Sequence, residues 1–374
     1  MSTKRGPLPS TASPPCKRAR SGGSGSAVGG GAPPPSLPPT CKVRNKYLDV
    51  LHRHPRDRRI FFDSGVEGEV HDYYVDFAGD GDFGRAGLLS VTGLCKAFFP
   101  QFDADKIIPK MMGGATWHPS KRRSKYFGLS PETIKAGWAR DGKAARESGT
   151  VMHDFIDLYY NGECTLDDVP ADDAALKQFA EFTAEMGGGL QPYRSEWFVF
   201  TDPRTKVTGA IDMTFVNKPL MEKQWAAVAH GAEPPSTLHL WIYDWKRSKR
   251  ISKFSRYERP FAPLDKLQST NYITYSMQLN MYKWILEHHY AGVVWEGHTY
   301  ERVRVDGMYL CVMHPNQSSH RLHLCPDMHR YVDRVMDLRR EALEREGAGL
   351  PPPYPFDMTQ PPPEAPEPFD FTSV

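Results

Sequence analysis

Three stretches of alternating apolar character, YRSEWFVF (Tyr193 to Phe200), GAIDMTFVN (Gly209 to Asn217) and LHLWIYDWK (Leu238 to Lys246), constrain the fold more tightly than anything else in the chain. Each has period two and is rich in β-branched and aromatic residues, so three successive strands are expected. What precedes them has a different period. Ser130-Pro131-Glu132 offers a capping hydroxyl, a proline at the first helical position and an acid in the first turn; a helical pattern then runs through KAARESGTVMHDFIDLYYNGE to the left-handed stop Asn161-Gly162. A second helix is expected from about Asp172 to Met186, ending in Gly187 to Gly189. After the strands, YSMQLNMYKWILEHHY (Tyr275 to Tyr290) reads as an amphipathic helix, GMYLCVMHPN (Gly307 to Asn316) as one more apolar strand, and Pro326 to Arg345 as a closing helix. Upstream, HDYYVDF (His71 to Phe77) is expected to be a strand, and Ser90 to Met112 two short helical pieces broken at Pro100. The order helix, three strands, helix, strand makes this an α/β chain.

The two ends are unlike this middle. Met1 to Leu48 has no acid and carries eight cations among runs of Gly, Ser and Pro, while Pro351 to Val374 is proline-rich, with four acids and no cation. Neither composition buries enough apolar surface to fold, so both are expected to be disordered. The expected divisions are a basic arm over 1–45, an N-terminal extension over 46–142, a core over 143–346 and an acidic tail over 347–374. Since the whole chain carries +2, residues 49–350 carry −2, and any nucleic-acid contact has to come from local clusters. Lys4 and Arg5, spaced from Lys17, Arg18 and Arg20, have the pattern of a bipartite nuclear import signal; a basic arm that merely attracts polyanions is the other reading. A nuclear location is expected, or otherwise a cytoplasmic or viral one. No stretch approaches the roughly 18 apolar residues of a membrane helix, so no membrane partner is expected. The six cysteines form no C-x-x-C pair, which argues against zinc, an iron–sulfur cluster or a disulfide framework.

HLWIYDWKRSKR, His239 to Arg250, ends an apolar strand with Asp244 and Lys246 on one side of the pleat, followed by Arg247, Lys249 and Arg250. A surface ion pair would explain the first two residues alone. Asp212 lies between Ile211 and Met213, where an ionised carboxylate needs a partner, and Asp212 and Asp244 sit on strands that can be neighbours. Two carboxylates side by side repel unless a proton or a cation lies between them, and Mg²⁺ or Mn²⁺ fits such a set. His153 and Asp157, four apart on a helix, face the same way, and Gly149-Thr150 before them would allow a backbone to come close. Glu196 is another acid in apolar company, and Gln278 and Tyr282 share a helix face. The loop ATWHPSKRRSKYFGLS interleaves Arg122 and Arg123 with aromatics, which suits phosphate contact with base stacking as well as a solvated loop.

The set GTVMH, SEWFVF…GAIDMTF, IYDWK and QLNMY resembles the PD-(D/E)XK nuclease superfamily, in the branch similar to the RecB nuclease domain and lambda exonuclease and found in large DNA viruses and related eukaryotic proteins. The resemblance covers about Lys143 to Asn316 and implies a restriction-endonuclease-like core with a helical and strand N-terminal extension. It implies a Mg²⁺- or Mn²⁺-dependent deoxyribonuclease acting on DNA in replication, repair or recombination, an exonuclease being the expected type. Implied metal ligands are His153, Asp212, Asp244 and the main-chain carbonyl of Trp245, with Glu196 or Asp157 outside them or at a second ion. Lys246 would act on water or phosphate. Gln278 and Tyr282 would hold the scissile phosphate, and Arg122, Arg123, Arg247, Lys249 and Arg250 the backbone beyond. A nucleic-acid-binding protein without turnover, or an RNA nuclease, would carry the same motifs. One departure is the spacing of 32 positions between Asp212 and Asp244, where KPLMEKQWAAVAHGAEPPST forms an unusually long connection.

Overall fold

The computed structural model describes residues 41–42, 44–63, 72–114, 117, 124–255 and 258–363. In chain order the elements are β1 (Cys41–Lys42), α1 (Tyr47–Leu51), β2 (Ile60–Asp63), β3 (Asp72–Val75), β4 (Leu89–Ser90), α2 (Val91–Phe98), α3 (Ala104–Met112), α4 (Pro131–Tyr160), α5 (Ala174–Met186), β5 (Gln191–Phe200) and β6 (Val207–Val216). There follow α6 (Lys218–Val228), β7 (Thr237–Lys246), α7 (Asn271–His289), β8 (Val293–Trp295), β9 (His298–Tyr300), β10 (Arg302–Val312), β11 (Arg321–Leu324) and α8 (His329–Gly347). The helix starts have the chemistry their sequences promise: Ser130, Asp173 and Thr270 each accept a backbone N–H of the first turn of α4, α5 and α7.

The main sheet is mixed, in the order β11-β10-β7-β6-β4, with β5 also paired to β6. β5, β6 and β7 form antiparallel pairs, whereas β7 and β10 run parallel, a pairing that requires a crossover, here made by α7. One face packs on α2, α7 and α8 through Ile211, Leu240, Ile242, Leu310 and Val312; the other packs on α4 and α5 through Met213, Phe215, Tyr243 and Trp245. A small sheet, β1-β2-β3, leans on β5 where Phe62 and Tyr73 meet Phe198.

Several sequence expectations need correction. α4 is one unbroken helix of 30 residues, so a boundary between 142 and 143 would cut through it. The end of the expected basic arm is built into the fold: Cys41 and Leu48 are buried, and Arg44 and Lys46 pair with Asp157 of α4. Averaging composition over the arm hides the fact that its last cations face a buried acid. The start of the expected disordered tail also packs, with Pro353 and Pro355 buried and Phe356 edge-on to Phe98 at 5.7 Å. Proline lowers the entropy lost on ordering, so a few apolar contacts suffice there. The long connection holds α6, opened by Asn217 as cap and Pro219 in the first turn and anchored by buried Met221. A Cβ placed on Gly149 would meet nothing within 4 Å, so the expected close backbone approach is absent among the described residues.

Candidate functional site

The site begins with a defect in the strand pattern. Trp197 and Ile211, a cross-strand pair, point into the α7-side core, yet Met213 points to the α4 side, and Ser195, its partner in register, hydrogen-bonds Asp157 of α4. Both strands therefore reverse their facing at the position between, which is Glu196 on β5 and Asp212 on β6. Glu196 accomplishes this with φ of 43°, a left-handed conformation that costs on the order of 1–3 kcal/mol for a residue with a side chain. The ladder between β6 and β7 ends at Met213 and Tyr243, so Asp212 and Asp244 occupy the first opposed positions beyond it.

Four elements converge at this opening. His153 on α4 has Nδ1 3.4 Å from Glu196 Oε1 and 3.7 Å from Asp212 Oδ2. His153, Glu196 and Asp212 each offer a ligand atom, all within 4.8 Å of one another. The main chain of Trp245 clasps the set: its N–H donates to Asp212 Oδ2 at 2.9 Å, and its carbonyl accepts from His153 Nε2 at 2.9 Å. That second bond fixes the ring so that Nδ1 is aimed at the carboxylates. The Trp245 carbonyl, expected as a ligand, is thus engaged by the imidazole.

Asp244 is 1% exposed. Lys246 Nζ lies 2.7 Å from each of its oxygens, so the ammonium straddles the carboxylate, which has no other described hydrogen-bond donor. Burial pushes the Asp244 carboxyl up to about 6 against the pull of Lys246, and Asp212 beside it adds to the rise. Asp212 is raised by burial too, with His153 and Lys246 opposing. Burial by itself would lower His153, but Asp212 and Glu196 outweigh it and bring the imidazole to about 9. Lys246 behaves alike: desolvation works against its charge, and Asp244 and Asp212 hold it above its ordinary value. Three carboxylates thus share the Lys246 ammonium and an imidazole held protonated near neutral pH by the carboxylates themselves. Three carboxylates gathered in a largely buried site, two of them with raised pKa, are what a divalent cation would relieve, and the donor set suits Mn²⁺ or Mg²⁺.

On α7, Gln278 Nε2 is a long 3.5 Å from the Tyr282 hydroxyl, and the Tyr282 ring lies over β6 at Gly209. A Cβ at Gly209 would come within 2.9 Å of that ring, so glycine is needed for the close approach. Gly209→Ala is expected to displace Tyr282 and lower stability by about 1–3 kcal/mol, the usual effect of overpacking, with urea unfolding as the measure. Tyr275, one turn before Gln278, has its ring centroid 5.1 Å from Lys246 Nζ. The spacing 275, 278, 282 is a helical face and could have identified it. Tyr73 of β3 gives no such signal. Its phenol is held above the ordinary range by burial, then by Glu196 and Asp212, so it lies near both carboxylates.

The remaining expected residues are dispersed. Arg247, Lys249 and Arg250 leave the end of β7 without an ion pair to any described residue. Asp157 is absent from the cluster: it accepts from Arg44, Lys46, Asn161 and the Ser195 hydroxyl and serves as a structural anion. Arg122 and Arg123, like Lys4, Arg5, Lys17, Arg18 and Arg20, lie outside the described residues. No helix among the described residues is long and apolar enough to cross a membrane. No protein-family model and no curated protein matches the chain.

Proposed function

We propose that the chain is a metal-dependent DNA nuclease of the PD-(D/E)XK type, with a restriction-endonuclease-like core formed by α4, α5, β5, β6, β7, α7 and β10. The observation that carries the reading is the juxtaposition of Asp244 and Lys246, from one strand end, with His153, Glu196 and Asp212 where β6 and β7 part. A structural ion pair would account for Asp244 and Lys246 but not for three further ligand-type groups aimed at the same opening.

His153, Glu196 and Asp212 would hold Mg²⁺ or Mn²⁺, with the Asp244 carboxylate beside them. When bound, the ion supplies Lewis acidity toward a phosphoryl oxygen and lowers the pKa of water. Lys246 keeps its proton next to two carboxylates and therefore serves as a donor, orienting water or phosphate and offsetting charge that develops on the phosphoryl oxygens. Gln278 and Tyr282, neighbours on one face of α7, would hold the scissile phosphate. Arg247, Lys249 and Arg250 take backbone phosphates beyond the site.

Incubation with end-labelled linear DNA and with circular DNA, with Mg²⁺ or Mn²⁺ and with chelator, tests the reading. Linear DNA degraded from its ends while circular DNA survives is the expected result and identifies an exonuclease in DNA replication, repair or recombination. Persistence of both DNAs in either metal overturns the reading, as does cleavage confined to RNA.

A further inference from the structure

The parallel register carries the active-site rows beyond β7. Lys246 lies opposite Val312 of β10, and Val312 opposite Arg321 of β11; Asp244, Leu310 and His323 form the neighbouring row. Residues opposed in a sheet share a face. Leu310 and Val312 pack into the α7-side core, and Leu322, between the two outer residues, packs on the opposite side. Arg321 and His323 therefore stand on the same face as Asp244 and Lys246, two strand spacings away, or roughly 10 Å.

A second cation reaches this place from another segment. Lys253 sits over the ring of Tyr272 at 4.6 Å, and the hydroxyl of Tyr272 donates to the carbonyl of Leu324 at 2.7 Å, which ties the loop after β7 to the edge strand. His323 is held below its ordinary pKa by burial, then by Lys253 and Arg321, so both cations lie near it, Arg321 being two residues before it on the same face of β11. Arg321 and Lys253 are exposed and make no ion pair with a described residue. A cationic pair without an ion-pair partner, in the row that carries Lys246, is poorly explained as a stabilising feature, because like charges brought together repel.

We propose that Arg321 and Lys253, with His323 between them, form a subsite for the DNA phosphate flanking the scissile one on the β11 side. This rests on the nuclease reading. The DNA strand would cross the edge of the sheet from Lys246 toward β11, with the guanidinium of Arg321 as a bidentate phosphate donor and Lys253 as a point charge.

The test is binding of a labelled DNA strand in chelator, over a series of salt concentrations, by wild type, Arg321→Glu, Lys253→Glu and the double variant. Mn²⁺ affinity is measured in parallel. The double variant is expected to bind DNA more weakly, with a log–log salt slope shallower by about one for each phosphate that is no longer neutralised, and with Mn²⁺ affinity unchanged. Arg321→Gln, which keeps length and polarity, should show the part of the weakening that belongs to the guanidinium. Unchanged affinity and slope in the double variant, with wild type binding normally, overturn the subsite alone. Failure of wild type to bind or cut DNA overturns the nuclease reading and the subsite with it.

Discussion

Asp212→Ala is expected to lose Mn²⁺ binding and DNA cleavage together, with the rate falling by about 10³-fold or more, since a metal's charge stabilisation is worth several kcal/mol. Asp212 is the residue on which the site closes: it faces His153, receives the Trp245 N–H, and stands opposite Asp244 where the ladder ends. Lys246→Ala should separate the two properties. Its ammonium contributes no ligand atom, and its removal leaves the carboxylates with less opposing charge, so Mn²⁺ affinity should be kept or increased while cleavage is lost. Calorimetry with Mn²⁺ alongside a cleavage assay on the same preparations checks both. Wild-type Mn²⁺ affinity in Asp212→Ala would remove that carboxylate from the site.

The same electrostatics explain why so acidic a cluster persists. In the unloaded chain, burial raises Asp244 and Asp212 in spite of Lys246 and His153, so these two carboxylates oppose folding at neutral pH. Glu196 adds a left-handed residue in a strand. Groups that destabilise the fold one by one but converge on a common point are better explained by what they bind than by what they hold together.

Much of this is legible in the sequence, because period and register are local properties. The three strand patterns lie within one or two residues of β5, β6 and β7, and the opposition of Asp212 and Asp244 follows from strands that can be neighbours. The reversal at Glu196 and Asp212 is not legible, since a left-handed residue without glycine leaves no trace in an alternating pattern. The resemblance puts Glu196 outside the inner ligands, yet its carboxylate lies with His153 and Asp212 in a group that could hold a metal ion. Asp157 departs from expectation for the opposite reason. Four residues from His153 it shares a broad helix face, but partners distant in sequence, Arg44 and Lys46, decide which way its carboxylate is used. Tyr73 belongs to a separate sheet whose docking on β5 is a tertiary event.

Deleting Met1 through Leu48 is therefore expected to destabilise the core, although the composition of that stretch marks it as dispensable. Asp157 is a buried carboxylate; burial alone would raise its pKa, but Arg44, Lys46 and the Ser195 hydroxyl hold it below the ordinary value. A depressed folded-state pKa means that this group stabilises the fold above its unfolded pKa, and that the contribution is lost as pH falls through the folded one. Removing both cations leaves the buried anion with only neutral donors, Asn161 and Ser195, and breaking a buried ion pair in this way costs about 3–5 kcal/mol. The truncation also strips the Leu48 N–H from Asn161 and exposes the surface that Leu48 covers. Arg44→Ala/Lys46→Ala isolates the charge effect from removal of the chain itself. Arg44 further donates to the carbonyl of Ser195 at 2.9 Å, immediately before Glu196, so any folded fraction of that double variant should bind Mn²⁺ less tightly than wild type. Urea unfolding near neutral pH should show a lower midpoint for both proteins, more so for the truncation. Equal midpoints in wild type and the double variant would mean that Asp157 does not depend on those cations and that the segment is an appendage after all.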